Sequence, residues 1–275
     1  MDNNNQEIKL KGPLKKIGIG ALSCVALFDA GMVTTAIIDG QNRKKGAELG
    51  LVLEGAHLKE GNHNFVITDQ FYSYLKYESI DDQKLVMDSF KTAYDNLNYL
   101  NSKKIRFTLC TQNKEVSEKF DLPLVSSYSK YDVPLYVYDG DIDNDPKTAG
   151  ITKVQTEYMT CATIETSIIF KKSALLAVYK HWGMTKEQIY SVSNAYAYTI
   201  CAHETMHAMG FAHRSSNSIL YPYVPSPYKD FTDYDKELLI NYNKKFYNAV
   251  PEYVKDQAQT QNSYNYTTNS DEMCR

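Results

Sequence analysis

Three histidines and a glutamate lie within eleven residues, in the stretch HETMHAMGFAH from His203 to His213. His203 and His207 are four residues apart, so on a helix their side chains share one face and can hold one ion. Imidazole nitrogens bind zinc at about 2.0 to 2.1 Å, and two helical ligands leave two positions of a tetrahedral site to fill. Glu204 projects about a quarter turn to the side of His203, where it can hold a water and act as a base. The spacing predicts a zinc site with a neighbouring general base.

Gly210 and His213 complete the pattern. Glycine permits the left-handed backbone that ends a helix, so the chain can turn back and bring His213 to the same ion. A bare H-E-x-x-H occurs by chance in many proteins that bind no metal. Here H-E-x-x-H-x-x-G-x-x-H fixes more positions, and it ends where a helix should stop. The remaining histidines have no such partners and are expected to be ordinary surface residues: His57, His63 and His181.

Strands and helices that could position this motif are visible along the chain. Ser79 is a plausible N-cap for a helix over 79–100, in which Val86, Phe90 and Leu97 recur at helical spacing. Runs rich in β-branched and aromatic residues predict five strands, at 63–75, 103–112, 133–142, 149–158 and 161–170. Thr185 and Gln188 form a capping box that opens a helix predicted from Lys186 to about Met209, and Thr232 opens a last helix that ends before Pro251.

The N-terminus combines a basic segment with a long apolar run. Four lysines in residues 1–16 precede the run from Ile17 to Ile38, which is apolar except for Asp29 and long enough to cross a bilayer. A signal peptide or a membrane anchor is predicted, since the basic flank disfavours a buried core helix. Residues 39–62 are expected to be a linker, 63–250 the folded domain and 251–275 a disordered polar tail. The domain is therefore expected outside the cytoplasm.

Composition limits the partners. The net charge of -3, from 30 basic and 33 acidic residues, gives no basic field of the kind that nucleic acid attracts. We therefore do not expect the protein to bind nucleic acid, and we expect it to act as a monomer. The cysteines form no CxxC pair, and three of them are expected to be reduced, buried thiols: Cys110, Cys161 and Cys201.

The histidine motif resembles the signature of the metzincin zinc endopeptidases, in which H-E-x-x-H-x-x-G-x-x-H precedes a Met-turn. SILYPY followed by FTDYDKELLINYN is most similar to the matrixin branch. The resemblance implies an α+β, zincin-like domain with a mostly parallel, twisted five-stranded sheet, an active-site helix, a backing helix and a C-terminal helix. It implies that His203, His207 and His213 bind Zn²⁺ and that Glu204 is the base that hydrolyses an extended peptide or protein substrate. It also implies that the substrate lies along an edge strand, which segment 149–158 matches.

Two positions depart from the family pattern. Leu220 stands where the family has the methionine of the Met-turn, an exchange that conserves volume and typically costs under ~1.5 kcal/mol. The segment between the apolar run and the domain has no cysteine, so a matrixin-style cysteine switch is absent. Tyr223 falls where some branches place a tyrosine near the zinc, and a packing role is its alternative.

Two other functions are compatible with the same residues. A zinc-stabilised binding or adhesion module could have lost catalysis, although such a module has no need of the carboxylate of Glu204. A structural cell-surface protein with an incidental histidine cluster is the other alternative, supported only by the 23 tyrosines. Zinc content and peptide hydrolysis distinguish the three functions.

Overall fold

A computed structural model describes residues 56–156, 162–214, 217–222 and 230–258. The strands are β1 Gly61–Ile67, β2 Ile105–Thr111, β3 Val133–Tyr138, β4 Gly150–Thr156 and β5 Thr163–Lys171. The helices are α1 Asp69–Leu75, α2 Ile80–Leu100, α3 Lys114–Phe120, α4 Lys172–Leu175, α5 Lys186–Ile189, α6 Tyr196–Ala208 and α7 Asp233–Tyr247, with a 3-10 turn at Val192–Asn194.

The strands form one five-stranded sheet in the order β2-β1-β3-β5-β4. Neighbouring strands are parallel except for β4, which runs antiparallel to β5. The predicted α+β fold with a mostly parallel five-stranded sheet is confirmed. Strand β4 lies at the edge of the sheet, where segment 149–158 was expected.

Helix α2 backs the sheet as its apolar stripe predicts. The Ser79 hydroxyl accepts a hydrogen bond from the backbone N–H of Asp82, which caps the first turn. On the buried face, Phe90 packs against Phe170 of β5 with ring centroids 5.1 Å apart and the rings tilted by 53°. Tyr94 lies 4.6 Å from Phe65 of β1 by the same measure. Because α2 also contacts α6, it fixes the distance between the sheet and the histidine helix.

The strand predicted over 63–75 is shorter in the structure, and a helix that was not predicted follows β2. The strand predicted over 63–75 is wrong beyond residue 67, because Thr68 turns the chain into α1. The Thr68 hydroxyl accepts from the N–H of Phe71 and donates to the carbonyl of Leu135, so one side chain ends the strand and caps the helix. Helix α3 was not predicted, although its N-cap Asn113 accepts from the N–H of Val116.

The single helix predicted from Lys186 to about Met209 is also wrong. The capping box of Thr185 and Gln188 is present, but α5 ends at Ile189. The Asn194 side chain donates to the carbonyl of Gln188 at 2.6 Å, and such polar side chains compete with helical hydrogen bonds. The chain is regular again only from α6 onwards, so the histidine helix is a separate, mostly buried element.

The folded domain extends beyond the predicted limits of 63 and 250 at both ends. Leu58, which was assigned to the linker, is buried, and its carbonyl accepts from the Tyr247 hydroxyl at 2.7 Å. The folded domain therefore includes residues 56–62. At the other end, residues 252–258 are helical and Tyr253 is buried, so the predicted disorder is wrong for this part of the tail.

The apolar run from Ile17 to Ile38 lies outside the described residues. Within the described ranges, no helix combines the length and apolar character needed to cross a bilayer. Cys110 and Cys201 are free and buried, as predicted, and burial raises the pKa of each thiol to about 12. Cys161 also lies outside the described residues.

Candidate metal centre

The turn that ends helix α6 brings His213 close to His203 and His207. The N–H of Gly210 donates to the carbonyl of His207, and the N–H of Phe211 donates to that of Met206. These two bonds form a Schellman motif, which requires a left-handed residue at Gly210. Gly210 has a φ of +99°, and a Cβ atom there would lie 2.5 Å from the carbonyl oxygen of Ala56. The predicted turn is confirmed, and the chain reverses so that His213 faces the helix.

The three imidazole rings converge on one point. One ligand atom from each of His203, His207 and His213 lies within 4.8 Å of the others. The Nε2 atoms of His203 and His207 are 3.0 Å apart. Two nitrogens of a tetrahedral zinc site with bonds of about 2.1 Å are separated by about 3.4 Å, so small ring movements are enough to reach that geometry. The three histidines lie close enough to bind one metal ion.

Hydrogen bonds to backbone carbonyls orient two of the rings. Nδ1 of His203 lies 2.8 Å from the carbonyl oxygen of Ile219, and Nδ1 of His207 lies 2.6 Å from that of Phe211. A carbonyl oxygen only accepts, so each Nδ1 carries the proton, and in a neutral ring each Nε2 is an acceptor. Two acceptors then face each other at 3.0 Å, an arrangement that a shared cation stabilises. Zinc fits this set of donor atoms.

The neutral state of these rings is favoured by their surroundings. Burial lowers the pKa of His203 to about 4 and that of His207 to about 4. Burial also lowers the pKa of His213, which is more exposed than the other two. Metal binding requires neutral imidazole, so the site keeps its ligands in the binding-competent form.

The carboxylate of Asp235 stabilises the loop that follows the three histidines. Asp235 at the start of α7 is fully buried and accepts from the Ser218 hydroxyl and from the N–H of Ile219. The same carboxylate accepts from the N–H of Thr232 at 2.9 Å. Ile219 in turn orients His203 through its carbonyl. Leu220, at the Met-turn position, is fully buried in the core.

Glu204 faces the same cavity as the histidines. The cavity measures about 980 Å³ and is bordered by the triad, by residues 145–152 and by Val154 of strand β4. Glu204 is only 4% exposed, and its carboxylate Oε2 accepts from the Thr152 hydroxyl at 2.7 Å. Burial raises the pKa of Glu204, while His207 and the hydrogen bond from Thr152 act in the opposite direction.

No protein-family model matches the chain, and no curated protein matches it. The structure shows a mostly parallel five-stranded sheet together with a three-histidine cluster on and just after helix α6, which is compatible with a zincin-like fold.

The other residues considered from the sequence lie elsewhere. The surface position predicted for His63 is wrong, because it is buried and its Nε2 lies 2.9 Å from the carbonyl oxygen of Lys59. His57 is half-buried and stacks on Phe246 with ring centroids 4.4 Å apart. His181 is exposed, and Tyr223 lies outside the described residues.

Two supporting residues were not found from the sequence. Asp235 could have been found, because T-x-x-D over 232–235 is a capping pattern next to the loop that follows the motif. Thr152 carries no local signal, since its contact with Glu204 depends on how the edge strand packs against the helix.

Proposed function

We propose that this chain is a zinc-dependent endopeptidase of the metzincin type, most similar to the matrixin branch. One observation carries the proposal: a three-histidine cluster shares a cavity with a buried glutamate that immediately follows the first histidine. A metal site with only a structural role has its coordination closed by protein side chains, whereas a catalytic zinc keeps a position open. Among the described residues, the cluster comprises three ligands.

The roles of the side chains follow from their positions. His203, His207 and His213 would hold zinc, which supplies a Lewis acid that polarises a peptide carbonyl and acidifies water. Glu204 takes one proton from the attacking water while the oxygen of that water bonds to the carbonyl carbon. Glu204 then delivers that proton to the amine nitrogen as the carbon–nitrogen bond breaks. The second proton of the water remains on the new carboxyl group and then passes to the amine, so one water is consumed, a carboxylate and an ammonium group are formed, and the glutamate returns to its ionised state.

The edge strand suggests the kind of substrate. Among the residues that the structure describes, strand β4 pairs with β5 on one side only, so its other edge has backbone groups that can pair with an added strand. Gly150, Ile151 and Thr152 of this strand line the cavity beside the histidines. An extended peptide that pairs with this edge would cross the metal site, as in β-strand addition. We therefore propose an extended peptide or protein substrate.

We also propose that the enzyme acts outside the cytoplasm. The support is the apolar run from Ile17 to Ile38 with its preceding lysines, which is typical of an export signal or an anchor. Digestion of intact cells with added protease tests this proposal. A domain that resists digestion until the cells are lysed, and is not found in the medium, would contradict it.

The experiment that tests the function compares peptide cleavage by the zinc-loaded full chain with that of Glu204→Gln. A peptide pool is incubated with each protein and the products are identified by mass spectrometry. The amide cannot take the proton, so we expect hydrolysis to fall by roughly 10² to 10⁴-fold while zinc is retained. Glu118→Gln makes the same chemical change at an exposed position on α3 and should retain full activity.

Two results would count against the proposal. Near wild-type cleavage by Glu204→Gln would remove the role of the base. A folded, zinc-loaded wild-type chain that cleaves no peptide in the pool would instead support the zinc-stabilised binding module.

A further inference from the structure

The two oxygens of the Glu204 carboxylate lie against two different residues of strand β4, Thr152 and Gly150. Oε2 lies 2.7 Å from the Thr152 hydroxyl, and the backbone carbonyl oxygen of Glu204 lies 2.9 Å from the same hydroxyl. The other carboxylate oxygen, Oε1, faces Gly150, where a Cβ atom would lie 2.7 Å from Oε1 and 2.9 Å from Cγ. Within the described part of the chain, Thr152 is the one hydrogen-bond donor to this carboxylate. The strand therefore supplies both a donor and the space that the glutamate occupies.

The geometry of the strand explains why both contacts come from β4. Residues two apart in a strand point to the same face, so Gly150 and Thr152 both face helix α6. The backbone hydrogen-bonding groups point along the sheet, perpendicular to those side chains. The free edge of β4 can therefore pair with a peptide while Thr152 still holds Glu204.

We infer that Thr152 is the positioning residue for Glu204, so that the strand proposed to bind substrate also fixes the general base. This inference rests on the proposed function. A glutamate side chain has three rotatable bonds, and helix α6 alone restrains only its first atoms. The Thr152 hydroxyl lies 2.9 Å from the backbone carbonyl oxygen of Glu204 and 2.7 Å from its Oε2, and it donates to the nearer oxygen. This bond is strongest when the carboxylate is ionised, which is the state that the role of base requires. Loss of that bond leaves the base free to rotate away from the reacting water.

The test removes the hydroxyl without changing the shape of the side chain. Thr152→Val keeps a β-branched residue in the strand, and Thr152→Ser keeps the hydroxyl but loses the methyl group. We expect kcat of the zinc-loaded full chain to fall roughly ten- to hundredfold in Thr152→Val, the range for a hydrogen bond to a charged group. KM and zinc affinity should stay at the wild-type values, because neither the substrate edge nor the histidines change. Thr152→Ser should restore most of the lost kcat.

A matched control and a structural measurement separate positioning from general damage. Thr108 is a half-buried threonine on β2, at the opposite edge of the sheet, and Thr108→Val should leave kcat unchanged. Crystal structures of the zinc-loaded variants should show the Glu204 carboxylate displaced in Thr152→Val and in its wild-type position in Thr152→Ser.

Three outcomes would overturn the inference. The first is a wild-type kcat in Thr152→Val alongside an inactive Glu204→Gln, which leaves the proposed function intact. The second is an equal loss of kcat in Thr152→Ser and Thr152→Val. If Thr152→Val folds poorly, Thr152→Ser decides, because a large loss of kcat in a variant that keeps the hydroxyl would contradict the inference. The third is an active Glu204→Gln, which removes the proposed function together with the inference.

Discussion

Backbone carbonyls orient the rings of His203 and His207 so that, with His213, they lie close enough to bind a metal ion. Each ring donates its Nδ1 proton to a carbonyl, so each Nε2 offers a lone pair towards the same point. The spacing of the histidines is visible in the sequence because it depends on helical geometry alone. The carbonyls that select the tautomer belong to Ile219 and Phe211, whose positions depend on the turn at Gly210. That part of the site could be predicted only in outline.

The burial of His203 and His207 predicts that the stability of the metal-free protein depends on pH. In the unfolded chain these histidines titrate near 6.5, and in the folded chain burial lowers the pKa of both to about 4. Between these values the unfolded state binds protons that the folded state does not, so stability falls as the pH is lowered from 6.5 to 4. Urea unfolding at several pH values measures this slope.

A double variant isolates the contribution of the two rings from that of the acidic residues. His203→Gln/His207→Gln should lose less stability over the same pH range, because neither glutamine titrates. Equal slopes for the metal-free wild type and the double variant would show that these histidines do not carry the effect.

The elements around the site depend on side chains at their ends. Asp235 at the first turn of α7 holds Ser218 and Ile219, and Ile219 orients His203. Helices α2 and α7 were predictable because each has a strong N-cap followed by an apolar stripe. Helix α1 was not, since its seven residues include Phe71, Tyr72 and Tyr74, which are as common in strands.

Asp235→Asn tests the connection between α7 and the metal site. The amide keeps one acceptor oxygen, so its NH2 group faces either the Ser218 hydroxyl, which Oδ1 binds, or the N–H groups of Ile219 and Thr232, which Oδ2 binds. We expect the free energy of unfolding to fall by about 1 to 3 kcal/mol, the cost of an unsatisfied buried polar group. Zinc affinity should fall roughly tenfold or more, as when a partner of a metal ligand is lost.

Asp233→Asn is the control, because its side chain is 99% exposed on the same first turn. Denaturant unfolding and zinc competition with a chelator measure both effects. If the Asp235 and Asp233 variants behaved alike, the loop over Ser218 and Ile219 would not depend on this carboxylate.

On the scale of the whole molecule, the two ends of the described chain meet. The N–H of Leu58 donates to the hydroxyl of Tyr242 on α7, 184 residues further along the chain. No local pattern around Leu58 indicates this contact, which is why the domain was predicted to begin too late. The sheet itself was predictable, since five separate β-rich runs bounded by turn residues are visible in the sequence. The edge position of segment 149–158, which is β4 in the structure, was expected from the family resemblance, whereas the order of the other strands was not predicted.

The zinc content of the purified protein tests the central claim most directly. Native mass spectrometry of the full chain after exposure to zinc and removal of excess metal should give one zinc per wild-type chain. His207→Ala should lose it, with affinity lowered more than about 100-fold, because one of three protein ligands is gone. His181→Ala, at an exposed histidine outside the cluster, should still bind one zinc. A folded wild-type chain that remains metal-free, or a His207→Ala variant that binds zinc as tightly as the wild type, would contradict the account.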